Sequence, residues 1–253
     1  MAGFQQVKAN ANIYFIKNKN WLLSTALNYR YTSLQTENPE VLQPASTHGD
    51  FHYHSEALTL SYFSKLLGKT SIYSASLSTD GSDEHFERIR GMVTASLILK
   101  ANSKTKMMLG LAGIIDPSSQ IPILPIFTYE NRFSNGWVLD VLLPKKILVR
   151  KNISNNGRVS IGTEMDNTSY YIYHNNNTYE FRQIDLNSGA IYEHNLGGNL
   201  MGTFKAGIKT VLNTRVFNKE ESFKNYIWEA SYQPSFYFNA GISYNPFGRS
   251  GKK

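Results

Sequence analysis

The sequence predicts an all-β fold, a transmembrane antiparallel up-and-down β-barrel of about 12 strands, within a range of about 12–14. Three features predict it: long segments in which apolar and polar residues alternate, short and long connections that follow each other in turn, and an aromatic-rich final segment. We assign residues 1–247 to a single outer-membrane β-barrel domain and residues 248–253 to a polar C-terminal tail.

The alternation is clearest in the segment that begins at Trp21. Odd positions from Trp21 to Tyr31 are apolar or aromatic apart from Thr25, whereas the even positions become polar towards Arg30. Because consecutive strand residues point to opposite faces, one face of this segment is apolar and the other is polar. A tilted strand of about ten residues also spans a hydrocarbon core. The pattern therefore indicates a strand with lipid on one side and water on the other.

Similar segments recur along the chain. The predicted strands are residues 7–16, 21–33, 51–64, 70–79, 88–100, 105–115, 122–133, 137–143, 157–166, 168–174, 179–193, 200–217 and 226–245. Bacterial single-chain barrels have even strand numbers, so either an upstream strand is missing or residues 168–174 are not a strand.

Two local features of this strand assignment are also predictions. We assign residues 144–156 to a long loop. We expect a β-bulge at Pro125, because proline removes a hydrogen bond from the ladder and a closed barrel has no edge strand to hold it. Tight turns alternating with longer loops are typical of outer-membrane barrels, whose short turns are periplasmic.

Composition excludes several other classes of protein. No segment approaches the about 18 apolar residues of a membrane-spanning helix, which excludes a helical membrane protein. The chain has no cysteine, which excludes a disulfide framework and thiol chemistry. Its net charge of +7 is spread along the chain, so we do not expect nucleic-acid binding. The N-terminus lacks a secretory signal pattern, so the outer-membrane interpretation requires a mature or truncated chain.

The final segment is similar to the assembly signal of outer-membrane barrels. Its aromatic and apolar residues alternate and end in an aromatic residue: Phe236, Phe238, Ile242, Tyr244 and Phe247. Together with the segments 125–133 (PIFTYENRF) and 240–247 (AGISYNPF), the chain resembles Bacteroidota outer-membrane β-barrel proteins of an uncharacterised, domain-of-unknown-function, porin-like type. The resemblance implies a barrel fold and a location in the Gram-negative cell outer membrane, and it implies no activity.

Each strand has a polar face formed by alternate residues, and the charged residues on that face are the candidate lumen-facing residues. They are Arg30, Arg88, Arg90, Lys106, Glu130, Arg132, Asp140, Arg158, Glu164, Lys205, Lys209 and Arg215. Such side chains either pair across strands as a structural network or line a water-filled pore, and porin constrictions combine both arrangements.

A metal site is a further hypothesis. His52, His54 and Glu56 occupy alternate positions, so they share a strand face at intervals of about 6.5–7 Å, and a His-x-His pair can bind one metal ion. The same alternate positions continue to Leu58 on the predicted lipid-facing side. We therefore expect the three residues to lie on the water-exposed rim of the barrel, without a metal ion. We predict no metal site. If the chain did bind a metal ion, these three residues would be the candidate ligands.

No motif of an enzyme is present. The chain lacks a nucleophile elbow, a phosphate-binding loop and an HExxH sequence, so we expect neither an enzyme nor a cofactor. The predicted function is a porin-like channel for small solutes or ions. The alternatives are a non-conducting structural or partner-binding barrel of an envelope complex, and a soluble β-barrel that binds lipid or glycan. The expected partners are outer-membrane lipid and lipopolysaccharide, the barrel-assembly machinery and an envelope protein.

Overall fold

A computed structural model describes residues 3–35, 48–116, 118–119, 121–174 and 177–245, and these residues form an all-β fold without a helix. No membrane-spanning helix therefore occurs within these ranges. The fourteen strands are β1 (Gly3–Lys17), β2 (Trp21–Gln35), β3 (His48–Leu66), β4 (Lys69–Gly81), β5 (Phe86–Ala101), β6 (Thr105–Ile115), β7 (Ile123–Arg132), β8 (Val138–Leu143), β9 (Lys146–Asn152), β10 (Gly157–His174), β11 (Asn177–Gly197), β12 (Leu200–Asn218), β13 (Tyr226–Ala230) and β14 (Ser235–Tyr244).

All fourteen strands belong to one antiparallel sheet in which β1 to β13 follow chain order. β13 and β14 pair with successive parts of β12, so together they form one pass of the chain that is interrupted at residues 231–234. The predicted all-β, antiparallel, up-and-down topology is confirmed. No ladder joins β1 to β14 within the described residues, so the sheet there is open between these two strands.

Three predicted segments differ in the structure. Residues 144–156 are not one long loop, because β9 lies inside them and pairs with both β8 and β10. Both faces of β9 mix apolar and basic residues, which hides its alternation. Residues 157–166 and 168–174 form the single strand β10, because Asn167 continues the ladder opposite Ile184. Residues 226–245 form two strands instead of one.

The predicted β-bulge at Pro125 is absent. Pro125 pairs with Leu111 in an unshifted register between β6 and β7. On the other side, β7 pairs with β8 only from Phe127 onwards. Pro125 therefore lies beyond the end of β8, where no ladder on that side needs its missing N–H group, and the strand accepts proline without a bulge.

One face of the sheet is apolar and carries aromatic residues at both ends. On β2 to β5, this outer face presents side chains such as Leu58, Leu77 and Val93, which are about half exposed or more. The Trp21 and Tyr62 rings pack at one end, with centroids 4.6 Å apart, and Tyr31 lies near the other. Trp21 and Tyr31 are ten residues apart, which is roughly 33 Å along a strand and about 25 Å along an axis from which strands tilt by about 40°.

The opposite face is concave. Lys8 of β1 donates a hydrogen bond to Asp166 of β10 at 2.5 Å, and Gln6 donates one to Thr168 at 3.4 Å. These strands lie far apart in sheet order, so the contacts require the sheet to curl. We call this concave side the inner face. The end of the sheet at residues 18–20, 67–68 and 102–104 is the short-turn end, and the end at residues 82–85 and 219–225 is the long-loop end.

A row of glycines crosses β10, β11 and β12. Gly162 pairs with Gly189, and Gly189 pairs with Gly207. A Cβ atom at Gly189 would lie 2.2 Å from the Ala206 carbonyl oxygen, and one at Gly207 would lie 2.2 Å from the Ser188 carbonyl oxygen. Neighbouring backbones approach this closely only without side chains, as at the tight bends of barrels.

Candidate functional site

The candidate site is the charged inner face, and all twelve predicted residues make ion pairs. The pairs are Arg30 with Asp166, Arg88 with Asp116 and Glu180, Arg90 with Asp80, Asp116 and Glu180, Lys106 and Arg132 with Glu130, Asp140 with Lys146 and Arg150, Arg158 with Glu193, Glu164 with Lys205, Lys209 with Asp185, and Arg215 with Glu229. The charges fall into two main groups, one at each end of the sheet.

At the long-loop end, three guanidinium groups meet three carboxylates. We call this set the mouth cluster, and it consists of Asp80, Arg88, Arg90, Asp116, Glu180 and Arg182. Glu180 is fully buried and lies 3.0 Å from the Arg88 guanidinium and 2.5 Å from that of Arg182. Because the positive and negative charges are equal in number, each buried ion has partners of the opposite sign, which burial of charge requires.

Asp116 belongs to the connection after β6 and anchors that connection to the mouth cluster. Burial of the Asp116 carboxyl raises its pKa, but hydrogen bonds from Ser118 and the charges of Arg90 and Arg88 outweigh this effect. The pKa of Asp116 therefore lies below its usual value of 3.8. The charge of Asp116 persists at neutral pH, and the cluster stays balanced.

The long-loop part of β10 and β11 is buried on both faces. Tyr170 stacks between Phe51 of β3 and Phe181, with ring centroids 4.1 and 4.3 Å away. The next residue, Tyr171, faces the opposite way and donates a hydrogen bond to Asp80 of β4. Tyr170 is 1% exposed and Tyr171 is 3% exposed. Adjacent strand residues point apart, so this hairpin is enclosed by β3 on one side and β4 on the other.

Further contacts continue this enclosure towards the hairpin tip. Tyr173 contacts Ser82 and Glu87 through its hydroxyl, at 2.6 and 2.7 Å. Arg182 donates a hydrogen bond to Ser118 at 3.1 Å. The hairpin of β10 and β11 therefore occupies the concave space at the long-loop end.

Sequence reasoning missed several of these residues. Parity places Glu180 and Arg182 on the outward side of β11, and only the enclosure of the hairpin brings them to the inner charges. Lys146 and Arg150 fell in the predicted loop at 144–156. Asp80 has the inward parity of β4, and that signal could have found it.

Arg215 also lies on a different face than simple alternation predicts. The register between β11 and β12 shifts between Ile184 and Asp185. Beyond the shift, Arg215 lies opposite Arg182 in the ladder and faces outward. Lys205 and Lys209 come before the shift along β12 and stay on the inner face. The Arg215 guanidinium contacts Glu229 at 2.8 Å and packs over the Tyr226 ring.

At the short-turn end, four cations surround two carboxylates. We call this set the basic cluster, and it consists of Lys106, Glu130, Arg132, Asp140, Lys146 and Arg150. Glu130 and Asp140 are direct cross-strand neighbours on β7 and β8. Arg150 joins them, with contacts of 2.5 and 3.0 Å. Like charges that face each other destabilise a sheet, so cations at this position are needed.

The candidate metal residues lie on the outer face and contact other partners. His52 Nδ1 lies 2.7 Å from the Tyr29 hydroxyl, and His54 Nδ1 lies 3.2 Å from Glu56. His54 also packs edge-on against Phe86. No group of three or more potential metal ligands occurs in the described residues.

The predicted assembly residues of β14 share its outer face. Phe236 is 90% exposed, and Phe238, Ile242 and Tyr244 are exposed as well. β14 pairs on one side with β12. Phe247 and the tail at 248–253 lie outside the described residues, and the assembly role stays a prediction.

Comparison with known protein families places the chain in one of them. The family described as Domain of unknown function (DUF6268) matches residues 5–245. The chain belongs to the DUF6268 family. The match runs from β1 into the residue after β14, so the DUF6268 domain and the antiparallel sheet are the same unit. No curated protein and no solved structure matches the chain.

Proposed function

We propose that this chain is a β-barrel of the Gram-negative cell outer membrane and forms a porin-like channel for small solutes or ions. The observation that carries the proposal is the chemical contrast between the two faces of one curled sheet. The exposed outer face is apolar and ends in aromatic residues, as in transmembrane barrels, whose apolar band is about 25 Å tall. A soluble monomer rarely exposes a contiguous apolar patch larger than a few hundred Å².

The inner face supports the channel part of the proposal. Its charges are arranged in pairs across strands, and such networks also line the constrictions of channels. Lys106 and Arg132 remain more than half exposed, so the short-turn end of the inner face is open to water. Solutes of a suitable size would enter from that end.

In a membrane, the proposal requires that the backbone groups along the open edges of β1 and β14 form hydrogen bonds. Hydrocarbon offers no water to exposed backbone groups, so membrane-spanning sheets are closed. Both strands run from the long-loop end to the short-turn end, so a direct ladder between them would be parallel. Because β13 and β14 form one pass, the described strands make thirteen passes, and one further antiparallel strand between β1 and β14 would give the even number that bacterial barrels have.

Location and partners follow from the same proposal. Lipid and lipopolysaccharide would cover the outer face, and the barrel-assembly machinery would recognise the β14 segment that contains Phe236 and Tyr244. The resemblance to Bacteroidota outer-membrane barrels points to the same location.

A non-conducting envelope barrel is the second candidate, and the mouth cluster favours it. The enclosed β10–β11 hairpin fills the long-loop end with stacked rings and buried ion pairs. A barrel filled in this way would serve as a structural or partner-binding subunit. The two candidates differ in one property, the passage of ions through the inserted protein.

Planar-bilayer conductance tests the two candidates on wild type and on a shortened hairpin. Thr168 and Gln183 face each other in the ladder, so Asn-Gly can replace residues 169–182 as a two-residue turn. The replacement removes Glu180 and Arg182 together, which keeps the remaining mouth charges balanced. We expect small current steps from wild type and steps several-fold larger from the shortened variant.

Insertion into the bilayer is the control for this experiment. Both proteins must resist extraction from lipid vesicles by carbonate. If both are inserted and neither conducts, the channel proposal is wrong and the non-conducting barrel stands.

A further inference from the structure

The basic cluster at the short-turn end has a charge excess that its own carboxylates do not balance. It holds four cations, Lys106, Arg132, Lys146 and Arg150, against two carboxylates. Lys146 contacts Asp140 at 2.8 Å, and Arg150 contacts both Glu130 and Asp140. These two cations neutralise the carboxylate pair, so the charges of Lys106 and Arg132 are in surplus.

The two surplus cations lie close together and are open to water. The Lys106 ammonium is 3.2 Å and the Arg132 guanidinium is 3.5 Å from the same oxygen of Glu130. Their side chains are 59% and 57% exposed, whereas the Glu130 side chain between them is 16% exposed. An anion approaching from the concave side therefore meets two positive head groups before it meets the carboxylate.

We propose that the basic cluster is a binding site for a small oxyanion, a phosphate or a carboxylate, at the short-turn end of the inner face. The Arg132 guanidinium offers paired donors that match two oxygens of such an anion, and the Lys106 ammonium adds a point charge. A concave wall of one sign also focuses the potential and raises the local anion concentration. This inference rests on the proposed channel and names the solute class it prefers.

Two neutral substitutions test the inference without disturbing the carboxylate pair. Lys106→Gln and Arg132→Gln each remove one surplus charge, while Arg150 and Lys146 continue to neutralise Glu130 and Asp140. Lys151→Gln is the matched control. Lys151 lies at the same end, but it has the opposite strand parity to Arg150 and packs over the Trp137 ring on the outer face.

The first measurement is ion selectivity in a KCl gradient across a planar bilayer. We expect wild type and Lys151→Gln to prefer chloride to potassium. The double variant Lys106→Gln/Arg132→Gln should lose about ten-fold in the permeability ratio, at the lower end of the range expected for focused potentials. Equal selectivity in the double variant and wild type overturns the inference while leaving the channel intact.

The second measurement does not depend on conduction. Inorganic phosphate is titrated into the detergent-solubilised full chain by calorimetry. Wild type and Lys151→Gln should bind phosphate, and the double variant should lose that binding at least ten-fold. If wild type binds no phosphate, the anion site is wrong even in a conducting barrel. If phosphate binds in a barrel that passes no current, the site stands and the channel proposal fails.

Discussion

Glu180 is the residue on which the long-loop end depends most directly. Its side chain is completely buried, and the guanidinium groups of Arg88, Arg90 and Arg182 all contact it. Removal of one member of a buried ion-pair network leaves uncompensated charge in a medium of low dielectric constant. The mouth cluster therefore stabilises the enclosed hairpin only while it is complete.

The variant Glu180→Gln keeps the shape of the side chain and removes its charge. Three guanidinium groups would then face two carboxylates. We expect the free energy of unfolding to fall by about 3–5 kcal/mol, the usual cost of breaking a buried pair. Urea unfolding in lipid vesicles, followed by tryptophan fluorescence, measures the change.

Glu229→Gln is the control for this prediction. Glu229 of β13 pairs with Arg215 of β12, and the Glu229 side chain is 38% exposed. Its loss should therefore change the free energy of unfolding by less than about 1 kcal/mol. Equal effects of the two substitutions would show that the mouth cluster contributes no more than a surface pair.

Among the elements, β10, β11 and β12 do more than extend the sheet. The glycine row allows these strands to approach closely, and the long-loop part of β10 and β11 beyond it is enclosed by β3 and β4. Hydrophobic packing around Phe51 and Tyr170 and the mouth cluster then stabilise the two faces of the hairpin.

Gly189→Ala tests the curvature. The added methyl would lie 2.2 Å from the Ala206 carbonyl oxygen, so the β11–β12 ladder must shift. We expect a loss of about 1–3 kcal/mol in stability, the typical cost of overpacking, and a smaller folded fraction. Heat-modifiable mobility in gel electrophoresis measures that fraction.

Gly241→Ala provides a matched comparison on β14. A Cβ atom at Gly241 meets nothing within 4 Å, so this variant should fold as wild type does. If both variants fold equally well, the close approach of β11 and β12 does not limit assembly.

For the whole molecule, the central question is what solvent covers the outer face. Leu77 and Ser76 are neighbours on β4 and point to opposite faces, and Leu77 is 61% exposed. An outward leucine is stable in lipid, and an inward serine is stable beside the polar interior. The same substitution at both positions therefore separates the two environments.

Leu77→Arg and Ser76→Arg form this pair of variants. If lipid covers the outer face, Leu77→Arg should cost about 2–4 kcal/mol, the cost of arginine near the middle of a membrane. Ser76→Arg should cost less, because its side chain points towards the polar interior. Urea unfolding in vesicles measures both. Should Leu77→Arg be the milder change, with the protein extracted from cells without detergent, the membrane proposal would be wrong.

The sequence by itself determined most of the strands and the up-and-down order in which they pair. Alternation such as that between Trp21 and Tyr31 is local, because side-chain direction in a strand repeats every two residues. It therefore predicted most strands and the inward parity of Arg30, Lys106 and Glu130. It failed for β9, where both faces carry mixed residues.

Only the tertiary structure decided which charges meet and where the concave space is filled. Glu180 and Arg182 have outward parity and still reach Arg88 and Arg90, because the hairpin of β10 and β11 lies between other strands. Contacts of this kind depend on how the sheet curls, and curvature accumulates over many strands instead of residing in any one segment. The twelve predicted charges were thus chosen from local pattern, whereas the balance of the mouth cluster and the surplus at Lys106 and Arg132 arise from three-dimensional arrangement.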